Sequence, residues 1–280
     1  MKKKSRKIIT AFLVIIAALL FVIIVPSKLS SVISDGNSLS AHTDYAPLLV
    51  AHRGFSSIYP QNTLPAFEGA ADAEFDGYEI DIHTTKDGKW VVIHDDTVDK
   101  MTDDTGEVEN FTFEEIRSLK IDGGNGIENY PDLKIPTLEE ALAVCEDKDI
   151  FPVIEIKKCD ERYLTDLKAY LDEKGLSDKA VIISFTKEYM EAYRSLDKEA
   201  EMLYLSHDPS KEDIDWCKNN NFGINFNHKN LYKCVSAVTY AKKQGVKIAA
   251  WTVDNTVYKD IMVLFGAEII TTNKIKPAIK

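Results

Sequence analysis

The chain has no Cys-x-x-Cys pair, and its four cysteines, Cys145, Cys159, Cys217 and Cys234, are spread across 280 residues. Their spacing matches no small disulfide scaffold, and a domain of this size does not need such staples. Free, buried thiols are therefore expected, and a cysteine-based zinc site is excluded. Acidic residues are missing from the first 28 positions, which hold Lys2, Lys3, Lys4, Arg6, Lys7 and Lys28. The formal net charge of −11 is thus concentrated in the remainder, which is more acidic than the whole. Such a domain is a poor general partner for nucleic acid, whose affinity rests on neutralising phosphates. It would also repel small anions unless cations were gathered locally, as a bound metal ion would do. No internal repeat is present.

The longest apolar run, Ile8 to Val25, is interrupted only by Thr10. As a helix it would span ~27 Å, close to the thickness of a bilayer core. Its basic flank, residues 1–7, should remain cytoplasmic, placing the rest on the far side of the cell membrane as a single-pass protein. The alternative is a secretory signal, cleaved to release the domain, but the run exceeds the usual signal core and Val25-Pro26-Ser27-Lys28 offers no small-x-small site. Residues 26–46, rich in Ser, read as a linker. Residues 47–280 then form one domain.

Within that domain, short apolar runs alternate with amphipathic stretches. Strands are expected at Leu48–Ala51, Gly77–Ile82, Phe151–Ile156, Ala180–Ser184, Met202–Leu205, Phe222–Phe226, Val246–Trp251 and Glu268–Ile270. Helices are expected at Leu64–Glu74, Thr137–Glu146, Glu161–Lys174, Lys187–Leu196, Lys211–Asn219, Leu231–Gln244 and Thr256–Phe265. Eight strands alternating with helices predict a (β/α)8 TIM-type barrel. An extra strand, Trp90–Ile93, should pair locally after a Gly-containing turn, and Asp122–Ile135 should form an irregular loop over one mouth.

In such barrels chemistry collects at the C-terminal ends of the strands. Those ends carry His52-Arg53-Gly54, Glu79-Ile80-Asp81, Glu155-Ile156-Lys157 and Trp251, with His94-Asp95 after the extra strand. Residues two apart on a strand share a face, so Glu79 with Asp81 and Glu155 with Lys157 should point into the barrel. Buried carboxylates need a counter-charge. Either a cation suited to oxygen ligands, Mg²⁺ or Ca²⁺, or an ion-pair network with Arg53 and Lys157 would meet that need. His52 and His94 suit acid and base roles near neutral pH. His83 is assigned to packing, and His207 and His228 to the rim.

Residues 50–96, VAHRGFSSIYPQNTLPAFEGAADAEFDGYEIDIHTTKDGKWVVIHDD, closely resemble the opening of glycerophosphodiester phosphodiesterases, with H-R-G, P-E-N-T, E-x-D, T-x-D-G and H-D in order. The similarity continues through KIPTL at Lys134–Leu138, VIEIK at Val153–Lys157, Ala250–Val253 and IITTN at Ile269–Asn273. The resemblance implies a barrel hydrolysing glycerophosphodiesters to glycerol 3-phosphate and an alcohol. It implies Glu79, Asp81 and Glu155 as metal ligands, His52 and His94 as the acid/base pair, Arg53 and Lys157 as phosphate contacts and Trp251 as a wall for glycerol. Similarity to related barrel phosphodiesterases implies that the glycerol 2-hydroxyl attacks first, giving a cyclic phosphate that water opens, with direct attack by water as the alternative; the order in which the histidines act stays open. Gln61 departs from the family glutamate, keeping an acceptor oxygen but losing charge. It either alters metal binding or only braces its loop. Asn273 replaces a frequent Asp, with no consequence assigned. A related lipid phosphodiesterase, of phospholipase D or sphingomyelinase D type, is the alternative enzyme, and an inactive surface-binding module the alternative from another class.

Overall fold

The structure, a computed structural model, describes residues 46–277. The expected membrane segment, its basic flank and nearly all of the linker lie outside the described residues. Among those described, no helix is long and apolar enough to cross a membrane.

The strands are β1 (Leu48–Ala51), β2 (Gly77–Thr84), β3 (Trp90–Val92), β4 (Phe151–Lys158), β5 (Val181–Ser184), β6 (Glu201–Ser206), β7 (Gly223–Asn227), β8 (Ile248–Trp251) and β9 (Ala267–Thr272). All except β3 run parallel, and β1 pairs with both β2 and β9, so the sheet closes on itself. The result is an eight-stranded parallel barrel, as the alternating pattern predicts. The short β3 pairs antiparallel with β2, with Val91 opposite His83.

Helices α1 (Leu64–Asp72), α2 (Phe113–Ser118), α3 (Leu138–Lys148), α4 (Leu164–Glu173), α5 (Lys187–Leu196), α6 (Lys211–Asn219), α7 (Leu231–Gln244) and α8 (Thr256–Leu264) accompany the strands. Reciprocal capping boxes start α2, α3 and α6, at Thr112/Glu115, Thr137/Glu140 and Ser210/Asp213. Each satisfies backbone donors that a helix start otherwise leaves orphaned. Between helices and strands lies the main core, including Phe67, Tyr78, Ile80, Ile154, Phe226 and Ile270.

The barrel interior is filled differently. Val50, Val153, Val181, Leu203, Ala249 and Ile269 belong to a separate apolar cluster. Because inward residues recur every second position, the next inward positions along β2 and β4 are Asp81, Glu155 and Lys157. The interior thus changes from an apolar plug to charged groups within one strand length.

Two departures from the expected elements matter here. The expected loop Asp122–Ile135 is the end of a longer excursion, residues 94–137, that has structure of its own. These residues contain α2 and pack Val98, Met101, Val108, Ile116, Leu119, Ile121 and Ile135 into a cluster with Val91 and Ile93 at β3. Strands β2 and β4 also run two residues further than the apolar pattern indicates, because pairing continues through polar side chains. Ile82 pairs with Ile156 but His83 with Lys158, so Lys157 is the extra residue of a bulge, which re-aims its side chain.

Candidate active site

The turn after β1 begins the site. Arg53 has φ 57° and Gly54 φ 70°, both left-handed. A Cβ on Gly54 would come within 2.6 Å of the Ala66 backbone, so only glycine fits that turn. This geometry aims the Arg53 backbone N–H at Glu79, which accepts it through Oε2 at 2.8 Å. The Arg53 guanidinium reaches Asp81, with Nε 3.3 Å from Oδ2.

Glu79, Asp81 and Glu155 are buried, and one carboxylate oxygen from each lies within 4.8 Å of the others. Asp81 and Glu155 are direct partners across β2 and β4, so like charges sit side by side. Lys157 answers part of that charge, with Nζ 2.8 Å from Glu155 Oε1 and 3.8 Å from Asp81 Oδ1. Burial and then its Asp81 neighbour push the Glu155 carboxyl up to about 8, against the pull of Lys157. Glu79 is raised well above the usual carboxylate range by burial, Asp81 and Glu155. Burial also acts upward on Asp81, but Arg53, His94 and Lys157 outweigh it and hold that group below its ordinary value.

Ionising all three carboxyls against the two cationic side chains would leave one negative charge unmatched, which is why Glu79 and Glu155 are held towards their protonated forms. Asp81 Oδ1 is buried without a hydrogen-bond partner. Converging oxygens, mutual repulsion and an orphaned acceptor are what a divalent cation would relieve, and the all-oxygen set suits Mg²⁺ or Ca²⁺. The ion-pair network of Arg53 and Lys157 is present as well, but it does not complete the balance.

The cavity above the carboxylates has a volume of about 290 Å³. His52, Arg53, Glu79, His94, Glu155, Lys157 and Trp251 all line it, while Asp81 lies buried behind them. The structure therefore brings together the residues nominated at five separate strand ends. His52 Nδ1 is 2.8 Å from Asn273 Oδ1, and His94 Nδ1 is 2.6 Å from Asp95 Oδ1. Burial first, then Arg53, lowers His52 to about 4. His94 is lowered too, chiefly by burial, with Asp81 opposing. Trp251 forms one wall with Phe185 and His207, its ring 5.6 Å and 5.3 Å from theirs.

Gln61 has both ends of its amide engaged. Its Oε1 accepts from Arg53 Nη1 at 2.8 Å and its amide nitrogen donates to the Met101 sulfur at 3.4 Å. Of the loop and metal alternatives for this position, its contacts are those of a brace on Arg53. His83 is buried, with Nε2 3.4 Å from the His94 carbonyl, which fits a packing role. The four cysteines are free, and all but Cys159 are buried.

Three polar residues escape a reading by strand ends. Asn62, buried with φ 56°, donates through Nδ2 to Asp81 Oδ2 at 2.8 Å. Its place inside P-Q-N-T was the available signal. Asn273 and Asp254 meet beside His52, and only barrel closure makes them neighbours. A second cavity, about 410 Å³, is lined by Lys158, Arg162 and several acids. Lys158 lies 3.0 Å from Glu109 and Arg162 3.1 Å from Asp160, and the acids of this cavity form no converging group of three among the described residues.

Comparison with known proteins bears on the family and the fold. A glycerophosphodiester phosphodiesterase of Caldanaerobacter subterraneus subsp. tengcongensis is 32% identical over 235 residues, covering 81% of this chain and 93% of that protein. A crystal structure of a glycerophosphodiester phosphodiesterase from Parabacteroides distasonis superposes with a TM-score of 0.68 at 26% identity, covering 80% of this chain and 92% of the other. An Oleispira antarctica phosphodiesterase, solved with the product sn-glycerol-3-phosphate, has a TM-score of 0.74 at 23% identity, covering 85% and 96%. Residues 52–276 match the profile of the Glycerophosphoryl diester phosphodiesterase family, and this chain is a member of that family.

Proposed function

We propose that this enzyme hydrolyses glycerophosphodiesters to glycerol 3-phosphate and an alcohol, using His52 and His94 for proton transfer at a divalent-metal site. The observation carrying the reading is the convergence of Glu79, Asp81 and Glu155 beneath a cavity that both histidines line. A divalent cation held by those three carboxylates, Ca²⁺ or Mg²⁺, would supply Lewis-acid polarisation of a phosphoryl oxygen. Arg53 and Lys157 present their charge to the same anion and share the negative charge that develops during transfer. One imidazole removes the proton of the attacking hydroxyl, from the glycerol 2-position or from water, and the other protonates the departing alkoxide. Trp251, with Phe185 and His207, gives the glycerol carbons an apolar wall. Gln61 contributes to substrate binding through Arg53.

The cell membrane is the proposed location. The 18-residue apolar run after a basic flank supports an anchor over residues 8–25, a linker over 26–46 and an extracytoplasmic domain over 47–280. Release after signal cleavage is the other outcome, and detection of the intact chain in washed membranes separates the two.

One feature favours a second reading, action on intact lipid. Tyr232, Val257 and Tyr258 are 76%, 59% and 52% exposed at the starts of α7 and α8, the helix ends that follow the C-terminal ends of β7 and β8. The test is release of glycerol 3-phosphate from a panel of deacylated diesters, intact glycerophospholipid and wall teichoic acid, each with Ca²⁺, Mg²⁺ or chelator. Chelator-sensitive release from the deacylated diesters is expected. Turnover confined to intact lipid would replace this reading with the second.

A further inference from the structure

The two histidines of the cavity are backed by chemically different partners. Behind His94 stands a carboxylate, Asp95, with Oδ1 2.6 Å from Nδ1. Behind His52 stands an amide, Asn273, with Oδ1 2.8 Å from Nδ1. The orientation of that amide follows from its other contacts. Asp254 Oδ2 lies 2.8 Å from Asn273 Nδ2, and Asp254 Oδ1 accepts the Asn273 backbone N–H at 2.7 Å and the Thr272 hydroxyl at 3.2 Å. A carboxylate only accepts hydrogen bonds, so the amide nitrogen must face Asp254 and the amide oxygen must face His52. The single Ser56 hydroxyl proton has two acceptors in reach, the His52 carbonyl at 2.8 Å and the same amide oxygen at 3.1 Å. Those hydrogen bonds to Asp254 hold the Asp254 carboxyl below its ordinary value despite burial, so it remains ionised.

An amide oxygen has no proton to give. His52 Nδ1 must therefore carry the hydrogen, which leaves Nε2, on the opposite edge of a ring that lines the cavity, as the basic nitrogen. We infer that Asn273, oriented by Asp254, is a positioning residue that fixes His52 as its Nδ1–H tautomer and so makes His52 Nε2 the first proton acceptor of the reaction. Three neighbouring strand ends build the device. His52 follows β1, Asn273 follows β9 and Asp254 lies just beyond β8, while His52 N donates to the Thr272 carbonyl at 2.9 Å and Val253 N to the Thr271 carbonyl at 2.9 Å.

The asymmetry also orders the two imidazoles. A neutral amide at Nδ1 gives an imidazolium no opposite charge, whereas the Asp95 carboxylate does, so of the two rings His94 is the better placed to deliver a proton and His52 to receive one. In the first step the attacking hydroxyl forms its bond to phosphorus and its proton passes to His52 Nε2. The bond from phosphorus to the leaving oxygen breaks, and that oxygen takes the proton from His94. No other reactant is consumed, and the pair ends with its protonation exchanged.

This inference rests on the proposed hydrolysis for its reaction, but its first test does not. Spectra of protein labelled with ¹⁵N-histidine, with His52 assigned by its loss in His52→Gln, should show Nδ1 with the shift of a protonated nitrogen and Nε2 with that of an unprotonated one. The reverse pattern overturns the inference even if hydrolysis is robust. Second, Asn273→Leu should lower kcat on sn-glycero-3-phosphocholine at saturating divalent metal by roughly 100-fold, while KM stays within about threefold. A kcat within about twofold of wild type, in a variant whose melting matches wild type, also overturns it. Should Asn273→Leu fail to fold, the nitrogen shifts of the unmutated protein still decide. Absence of any hydrolysis by wild type would instead remove the functional reading and leave the tautomer result standing.

Discussion

Asn62 and Asp81 clasp each other twice. Asn62 Nδ2 donates to Asp81 Oδ2 at 2.8 Å, and Asp81 N donates back to Asn62 Oδ1 at 3.3 Å. Asn62 holds φ 56° to do so, a backbone conformation that asparagine tolerates better than most residues. With Oδ2 engaged, Oδ1 remains the oxygen available to a cation, so Asn62 would orient Asp81, the proposed ligand, without being one itself. Asn62→Ala should weaken divalent-metal binding roughly 10- to 100-fold, the usual range when a partner of a metal ligand is lost. Titration calorimetry with Mg²⁺ and Ca²⁺ would measure this. Unchanged affinity would show that Asp81 needs no such support.

The carboxylate triad carries a pH signature that separates it from an ordinary ion-pair network. Burial raises Glu155 to about 8, so the folded metal-free protein keeps a proton that the unfolded chain has lost above about 4.5. Folding then binds protons, and stability must fall as pH rises between those values. The lowered histidines act the opposite way below 6.5, so the informative window is pH 6.5 to 8. Metal-free wild type should lose thermal stability across that window, each kcal/mol moving Tm by roughly 2–4 °C. Glu155→Gln, with no proton to lose, should flatten the slope. A divalent ion should raise the Tm of wild type more at pH 8 than at pH 6.5, because protons compete for the same oxygens. Parallel melting curves for the two proteins would contradict this account.

What is legible in the sequence follows from periodicity. Glu79/Asp81 and Glu155/Lys157 are legible because a strand alternates its faces every residue, and charge at inward positions stands out. The barrel was legible from eight apolar runs in alternation with helices. Asn273 was not, since its partner His52 lies 221 positions away and closure of β9 on β1 alone brings them together. Helix α2 has six residues, too short for a 3.6-residue period to emerge, although Thr112 and Glu115 mark its start. The bulge that aims Lys157 depends on a mismatch between two strands, which neither strand shows alone.

The histidines should fail separately and selectively. His52→Ala and His94→Ala should each reduce kcat by roughly 10²- to 10⁴-fold, the range for a lost acid or base. Neither should shift melting greatly, since both rings border a cavity. Because burial lowers His52 to about 4, its neutral, proton-accepting form persists well below pH 6.5. At saturating metal, the acid limb of kcat/KM should therefore fall nearer pH 4 than pH 6.5. A limb near 6.5 would mean that another group accepts the first proton.

Gln61 offers a test of the departure from the family glutamate. Its oxygen accepts from Arg53 Nη1 at 2.8 Å, while Arg53 Nε is 3.3 Å from Asp81 Oδ2. Gln61→Glu turns the first contact into a charged pair, strengthening the hold on the guanidinium. Less of the Arg53 charge is then free for phosphate, and KM should rise about threefold to tenfold. Metal affinity should change by less than about twofold, because the position-61 side chain is engaged with Arg53 and Met101. A large gain in metal affinity would instead make position 61 a ligand.

Trp251 bears on which half of the substrate meets the aromatic wall. Its indole N–H donates to the Asn225 carbonyl at 3.1 Å, and its ring meets Phe185 edge-on, so its orientation is fixed before substrate arrives. Trp251→Ala removes that wall and should raise KM roughly 10-fold, with kcat falling less, since a loss of ~1.4 kcal/mol in binding is a tenfold change. Trp251→Phe keeps an apolar face but loses the donor, and should lie between the two. Every substrate shares the glycerol, so a wall against it predicts the same KM ratio for glycerophosphocholine and glycerophosphoethanolamine. A ratio that differs between the two alcohols would place the indole against the leaving group, and the glycerol would then be held from the opposite side of the cavity.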